Sequence, residues 1–539
     1  VLSSVVLRLY RYRTVGERRL LDRYRILGLA GSIALAVGGV AAGALPRRDP
    51  FADVPLVGWL RASEPLALAV GYAGLALLVV AWLFLGRRVG TERGPSRRSL
   101  LITLGAWAAP LCLAPPMFSR DVYSYAAQGW MVHVGSSPYF WGPGAIPENP
   151  FYRDIPAMWS HTPAPYGPLF LQLARWVVDV GSDGIVPTVL GMRALALVGV
   201  LLLVRYVPRL AEHCGVPADR ALWLGVLNPL VLLHFVSGAH NDALLVGLLA
   251  TGLVLVLDRR PALGVAVCSL ALLVKAPAAL ALVFIVPVWA QQLGGRLRLA
   301  RAAVAAAAVS GAVVASLSWL TGLGYGWVAA LNTPGTVRNW LSGTTLLGEL
   351  VGLLTSAVGL GDQTDEAISV FRSAGGLAAL VICLLLLARI DRYGLVGSLG
   401  LGFVAVVALG PVVHPWYLLW GFVLLAAGTP SLAVRRTVIA VSAGLSMVLM
   451  PKGGTVDVSA IVQAVLSAAA VAGSAALFEL PPGRGKDGPG HGNDGRASLG
   501  RGGDGRDRTV PPRPRSGASG GPLGAGPRLP PAVPTRPRT

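Results

Sequence analysis

"SLLITLGAWAAPLCLAPPMFSRDVYSYAAQG" (Ser99–Gly129) changes character two thirds of the way along. Its first part, to Met117, is apolar and close to the roughly 20 residues that cross a bilayer as a helix. At Ser119 the run stops, and Arg120 and Asp121 stand side by side among tyrosines. The apolar part predicts a membrane helix. The polar end poses a choice between a solvated carboxylate at a helix start and a reactive one.

The same alternation continues along the chain. Of 539 residues, 54% are hydrophobic and 13% charged, against about 25% charged in an ordinary soluble domain. Apolar segments fall near 26–45, 66–86, 99–117, 185–207, 221–237, 243–257, 262–274, 277–292, 302–322, 370–389, 395–413, 416–428, 437–451 and 458–478. They predict an all-α polytopic integral membrane protein, a bundle of about 13–14 helices with structured outer loops. The first segment has no A-x-A-like cleavage site after it and reads as a retained helix. A basic stretch, 1–25, precedes the bundle of 26–480. The Pro/Gly/Arg-rich segment 481–539 has almost no large apolar side chains, so it reads as a disordered tail.

The net charge of +20 is spread in short clusters between apolar segments, which argues for orientation signals and against a nucleic-acid partner. With the amino terminus inside, one set of loops collects Arg87, Arg88, Arg93, Arg97, Arg98, Arg205, Arg209, Arg220, Arg259, Arg260, Arg296, Arg298, Arg301, Arg389, Arg392, Arg435 and Arg436. The other set holds only a thin scatter. The bias predicts a plasma-membrane protein with both termini cytoplasmic and with 118–184 and 323–369 facing outward. A transporter is expected to carry ionisable groups in helix centres and related halves; neither pattern stands out. Four scattered cysteines make neither a metal site nor a disulfide framework.

Asp121 falls in the first turn of a helix, with Ser119 as the expected N-cap, and Tyr125 and Gln128 follow on the same face. The loop beyond is dense in aromatic rings, Pro and Gly: "SSPYFWGPGAIPENP" and "MWSHTPAPYGPLF" include Tyr139 and Tyr166. Such loops have fixed turns, and their rings suit both sugars and the headgroup boundary. Glu148, Asp154 and His161 are further polar candidates there. "SGAHNDAL" puts His240, Asn241 and Asp242 at a helix start, where an anion is favoured or where Asp242 simply caps. Lys275 interrupts "LALLVKAPAALALV" and needs a partner, a ligand or an escape to the interface. Arg338 with Asn339, and His414 with Trp416, repeat the pairing of polar group and aromatic ring. No spacing suggests a metal.

"SRDVYSYAAQG", "SPYFWGP", "TPAPYGPL", "NPLVLLHFVSGAHNDAL", "LLVKAPA" and "HPWYLLWGF" together resemble the actinobacterial polyprenol-phosphomannose-dependent α-1,6-mannosyltransferases of lipomannan and lipoarabinomannan assembly. These are membrane glycosyltransferases of the GT-C type, and the resemblance covers roughly 100–425. It implies a polyprenyl-phosphate-mannose donor, a lipid-linked mannan acceptor, an extracytoplasmic site and inversion at the sugar carbon; no cofactor is expected. It also implies an acidic base in the first outer loop, which maps onto Asp121; Val122 follows where some other GT-C members have a second acid. Arg120, Tyr123, Tyr125, Gln128, Tyr139, Tyr166, Asn241, Asp242, Asn339 and Trp416 are then expected around the substrates. Lys275, His240, Arg338 and His414 are expected to clamp the lipid phosphate. A lipid-linked-sugar flippase, or a related enzyme for arabinose or protein hydroxyls, is the competing reading.

Overall fold

The computed structural model describes residues 2–91, 94–448 and 451–453, with scattered positions between 465 and 476. The expected tail, 481–539, lies outside the described residues, as does most of the expected helix at 458–478. In chain order the helices are α1 (Leu2–Ala42), α2 (Pro55–Arg61), α3 (Glu64–Gly86), α4 (Arg97–Leu113), α5 (Asp121–His133), α6 (Pro168–Gly181), α7 (Ile185–His213) and α8 (Ala218–Gly225). A π-helical turn, Val231–Ser237, precedes α9 (Asp242–Leu257), α10 (Pro261–Val274), α11 (Ala279–Leu293), α12 (Arg298–Leu320) and α13 (Gly343–Ala357). The last four are α14 (Thr364–Ala388), α15 (Ile390–Ala408), α16 (Leu419–Gly428) and α17 (Leu432–Leu445).

The protein is an all-α polytopic membrane protein. Among the described residues seven helices are long and apolar enough to cross a bilayer, or eight with one bent pair counted as a single span. The apolar segments before 451 coincide with helices, but several are too short to span alone. At 1.5 Å per residue, the 14 residues of α10 reach about 21 Å, against roughly 30 Å of hydrocarbon. Two helices, α6 and α13, occupy what the sequence offered as outer loops. In α6 the buried Phe170, Leu171, Ala174 and Val178 share one face, a helical spacing that the surrounding prolines and glycines obscure.

Small residues let helices approach where no water drives them together. A Cβ on Gly31 of α1 would lie 2.7 Å from the carbonyl oxygen of Gly74 in α3. Trp82 of α3 and the indole of Trp223 in α8 stack with centroids 5.0 Å apart. Each indole N–H donates to the other's backbone carbonyl, at 3.3 and 3.0 Å, so neither buried donor is orphaned.

The element that positions the site is the bent pair. The π-helical turn and α9 meet at 110°, and every residue from Ala221 of α8 through Gly247 of α9 is buried. Asn228 braces the entry, donating to Leu224 and Ser442 and accepting the Leu230 N–H. At the corner Ala239 adopts φ 54°, a left-handed conformation that costs a non-glycine residue energy and clusters at functional sites. That corner turns His240, Asn241 and Asp242 into the bundle.

Candidate active site

α5 begins at Asp121, with Arg120 as its N-cap residue. Ser119 acts one position earlier than a cap, its Oγ accepting the Asp121 N–H at 3.0 Å. Tyr125, one turn on, brings its hydroxyl to 3.3 Å from His240 Nδ1 and 3.5 Å from Asn241 Oδ1. His240 Nδ1 is also 3.6 Å from Asp121 Oδ2. The helix face read from the sequence thus meets the "SGAHN" corner. The Asp121 side chain keeps 14% exposure while that of His240 has none. Burial pushes the Asp121 carboxyl up to about 6 from the ordinary carboxylate value; Lys275 pulls it down, Asp242 pushes it up, and hydrogen bonds from Ser119 and Trp159 lower it. A carboxyl near 6 is a better base than an exposed aspartate and is still ionised at neutral pH.

The second carboxylate is held differently. α10 ends at Lys275, whose extended backbone makes a one-residue antiparallel bridge with Tyr166. Lys275 Nζ lies 3.0 Å from both oxygens of Asp242, and the Trp420 indole N–H donates to Asp242 Oδ1 at 2.6 Å. The ammonium also sits 4.4 Å from the centre of the Tyr417 ring, a cation–π contact. Lys275 is therefore a buried, paired lysine that does not reach for the interface. Asp242, at the first position of α9, makes no side-chain capping bond and serves the lysine instead.

An aromatic column adjoins both. Trp416 lies between His240, at 4.0 Å between ring centres, and His414, at 4.3 Å and nearly parallel. Both faces of Trp416 are covered, so the ring fixes His240 and offers no open platform for a sugar. His234 packs at 5.2 Å from Trp416. Asn339 Oδ1 accepts the Val413 N–H at 3.4 Å, and Ser342 and Thr344 donate to the Gly410 carbonyl. These bonds tie the "NTPGTVRNWLSGTT" segment to the loop carrying His414.

Other expected residues stand apart from the cluster. Arg120 donates to the Asp154 carbonyl at 2.9 Å and faces its carboxylate at 3.8 Å, bracing the aromatic loop. The buried Tyr123 donates to the Ala44 carbonyl at 2.6 Å. Tyr139 packs against Gly326, where a Cβ would come 2.8 Å from its own. Arg338 is half-exposed and pairs with Asp365 at the start of α14. Gln128 is buried on the inner face of α5. Trp159, Tyr417, Trp420 and His234 also contact the cluster; the sequence shows Trp159 and Tyr417 only as rings near polar groups and passes over Trp420 and His234. All four lie in the motifs quoted above, so an aromatic ring beside a lone lysine or aspartate is the available signal.

His240 Nε2, His234 Nδ1, Asn241 Nδ2 and Trp416 Nε1 are buried without a hydrogen-bond partner among the described residues. These unmet polar atoms in the cluster and its aromatic column are costly in a closed core and fit a site that receives a polar ligand. Among the described residues no three His, Cys, Asp or Glu side chains gather as metal ligands do.

Fold and side chains define a polytopic membrane protein with a carboxylate-bearing corner of buried polar groups inside its helical bundle. Residues 25–291 match the family model described as alpha-(1->6)-mannopyranosyltransferase, N-terminal domain. Residues 344–478 match the MptB C-terminal domain. An alpha-(1->6)-mannopyranosyltransferase of Mycobacterium tuberculosis is 37% identical over 77% of this chain and 80% of its own length. Alpha-(1->6)-mannopyranosyltransferase A of the same organism is 37% identical over 79% of this chain and 83% of its own. Alpha-(1->6)-mannopyranosyltransferase B of Corynebacterium glutamicum is 34% identical over 83% and 79%. The chain belongs to the alpha-(1->6)-mannopyranosyltransferase family and is a membrane mannosyltransferase.

Proposed function

We propose that this enzyme moves mannose from a polyprenyl-phosphate-mannose donor to a hydroxyl of a lipid-linked mannan, forming an α-1,6 linkage with inversion. The work is done on the outer face of the plasma membrane, with both termini in the cytoplasm. One observation carries the reading: Asp121 is the carboxylate of the site that no lysine or arginine among the described residues pairs with, and it faces the hydrogen-bonding side chains of His240 and Tyr125. Asp121 takes the proton from the acceptor hydroxyl as its oxygen attacks the anomeric carbon. The bond from that carbon to the phosphate oxygen breaks, and its electron pair leaves with the polyprenyl phosphate. His240 and Tyr125 hold the carboxylate and acceptor in line, which is where much of such a rate arises. The Lys275–Asp242 pair ties the start of α9 to the end of α10 behind them.

Membranes containing the enzyme, given radiolabelled polyprenyl-phosphomannose and an oligomannoside, should yield a product extended by an α-1,6-linked mannose. Movement of intact lipid-linked sugar across vesicles without any transfer would establish the flippase reading. Transfer of arabinose in preference to mannose would reassign the sugar.

A further inference from the structure

A cavity of about 410 Å³ lies between the end of α1, the segment after it, the end of α4 and the first turns of α7. It is within the range of small-ligand pockets, about 300–1,000 Å³. Leu45, Leu113, Pro115, Val189 and Leu190 give it apolar walls. Three charges line it as well: Arg61 and Asp49, which pair with each other, and Arg193.

Arg193 is 3% exposed. Its Nη1 donates to the Cys112 carbonyl at 2.6 Å and its Nη2 to the Ser237 carbonyl at 3.1 Å, while Nε has no partner among the described residues. No carboxylate among the described residues pairs with it. A guanidinium inside a membrane bundle without a counter-charge is costly and marks a site for an anion. In the sequence Arg193 is a lone charge in an otherwise apolar segment, as Lys275 is.

A hydrocarbon wall beside an uncompensated cation fits an amphiphile with an apolar chain and an anionic end. Two placements choose among such lipids. Tyr123, which lines the cavity, is two residues from Asp121 on the same helix. Ser237, which Arg193 holds, is three residues from His240. The cavity therefore touches the helix that carries Asp121, and Arg193 on its wall is bonded to the segment that carries His240. We propose that this cavity takes the first isoprene units of the polyprenyl-phosphate donor, with Arg193 supplying the charge that meets its phosphate. The site rests on the donor class proposed above, and its volume suits the head of the chain and not a whole polyprenyl tail.

The test uses the purified full chain in lipid nanodiscs and a polyprenyl phosphate carrying a photoreactive diazirine in its first isoprene units. Crosslinks are expected on the first turns of α7 and on the segment between α1 and α2. Leu190 is half-exposed at the cavity, so Leu190→Trp adds a ring there without displacing core; it should abolish those crosslinks and lower the preference in kcat/KM for long-chain over short-chain donors. Arg193→Gln should weaken polyprenyl-phosphate binding about tenfold or more and polyprenol binding little. Because Arg193 also braces two carbonyls, the polyprenol control is decisive. Equal losses for phosphate and alcohol would make it a brace only and end the proposal. Crosslinks elsewhere, undiminished labelling of Leu190→Trp, or equal competition by phosphatidylglycerol would overturn it too. Labelling needs no turnover: crosslinks in the cavity without mannose transfer would reject the transferase reading and keep the site, and transfer without them would do the reverse.

Discussion

Asp121 and Asp242 are two carboxylates of one buried corner, both at the first residue of a helix and both near His240 in the chain or in space. Asp242 has a lysine on both oxygens and an indole N–H on one. Asp121 has a serine hydroxyl behind its backbone, a histidine 3.6 Å away and some access to solvent. A helix start favours a carboxylate in either place, so the difference lies in the partners. A fully paired carboxylate is structural, whereas one left without a cation, its pKa raised by burial, is available to take a proton.

The largest expected effect belongs to the paired acid. Lys275→Met leaves Asp242 charged, buried and without its cation, and breaking a buried pair from one side costs about 3–5 kcal/mol. The variant should lose folded protein in detergent, read as yield of the monodisperse species and as melting temperature. Asp242→Asn combined with Lys275→Met removes both charges and should recover most of that loss. If the single substitution leaves stability and transfer unchanged, the pair is not the brace described here.

Asp121→Asn is expected to do the opposite: to spare the fold and remove the reaction. It keeps the size of the side chain but not the proton acceptor, and transfer should fall by roughly a hundredfold or more. Binding of polyprenyl phosphate should persist. The folded carboxyl is raised above its unfolded value, so the native state holds the proton between about pH 4 and 6 and the unfolded state does not. Stability from this group therefore falls as pH rises through that window. The Asn variant should melt like the parent at pH 4 and above it at pH 8, whereas an exposed, merely capping Asp121 would give no such crossing.

The same value sets the pH profile of the parent. With the base ionised only above about 6, kcat/KM should drop about tenfold per pH unit below it, on a slope of one proton. A limb well below 6 would take the role of base away from Asp121.

How far the site can be read from the sequence follows the same division. Asp121 is legible because it stands beside Arg120 where an apolar run ends, and the helix face through Tyr125 follows from spacing. The pairing of Asp242 with Lys275 is not, since only the α9–α10 hairpin brings together residues 33 positions apart. In the sequence each looks like a separate candidate for binding, and Lys275 shows only that it needs a partner, a ligand or an escape to the interface. Trp416 reads as a sugar platform because sequence shows a ring's identity and not that both its faces are covered. The spans before 451 are visible as apolar runs, while α6 and α13 are hidden by short length and by the prolines and glycines around them.

The smallest effect tests whether the neutral cluster around Asp121 orients it. Tyr125 is wholly buried, its ring packed edge-on against Tyr166 and Phe170 at 5.3 and 5.1 Å. Tyr125→Phe keeps that packing and deletes only the hydroxyl that meets His240 and Asn241. Its bond to His240 is 3.3 Å and that to Asn241 is 3.5 Å, at the long end of useful geometry. A neutral hydrogen bond contributes about 0.5–1.5 kcal/mol, so kcat should fall by roughly two- to tenfold with little change in donor KM. The discriminating comparison is with Arg120→Ala, one residue from the base by sequence but joined to Asp154 and the aromatic loop. That change should loosen the loop and raise the acceptor's KM more than it lowers kcat. A Tyr125→Phe enzyme with parental kcat would show that His240 is held by Trp416 alone, and that the hydroxyl belongs to the core and not to the reaction.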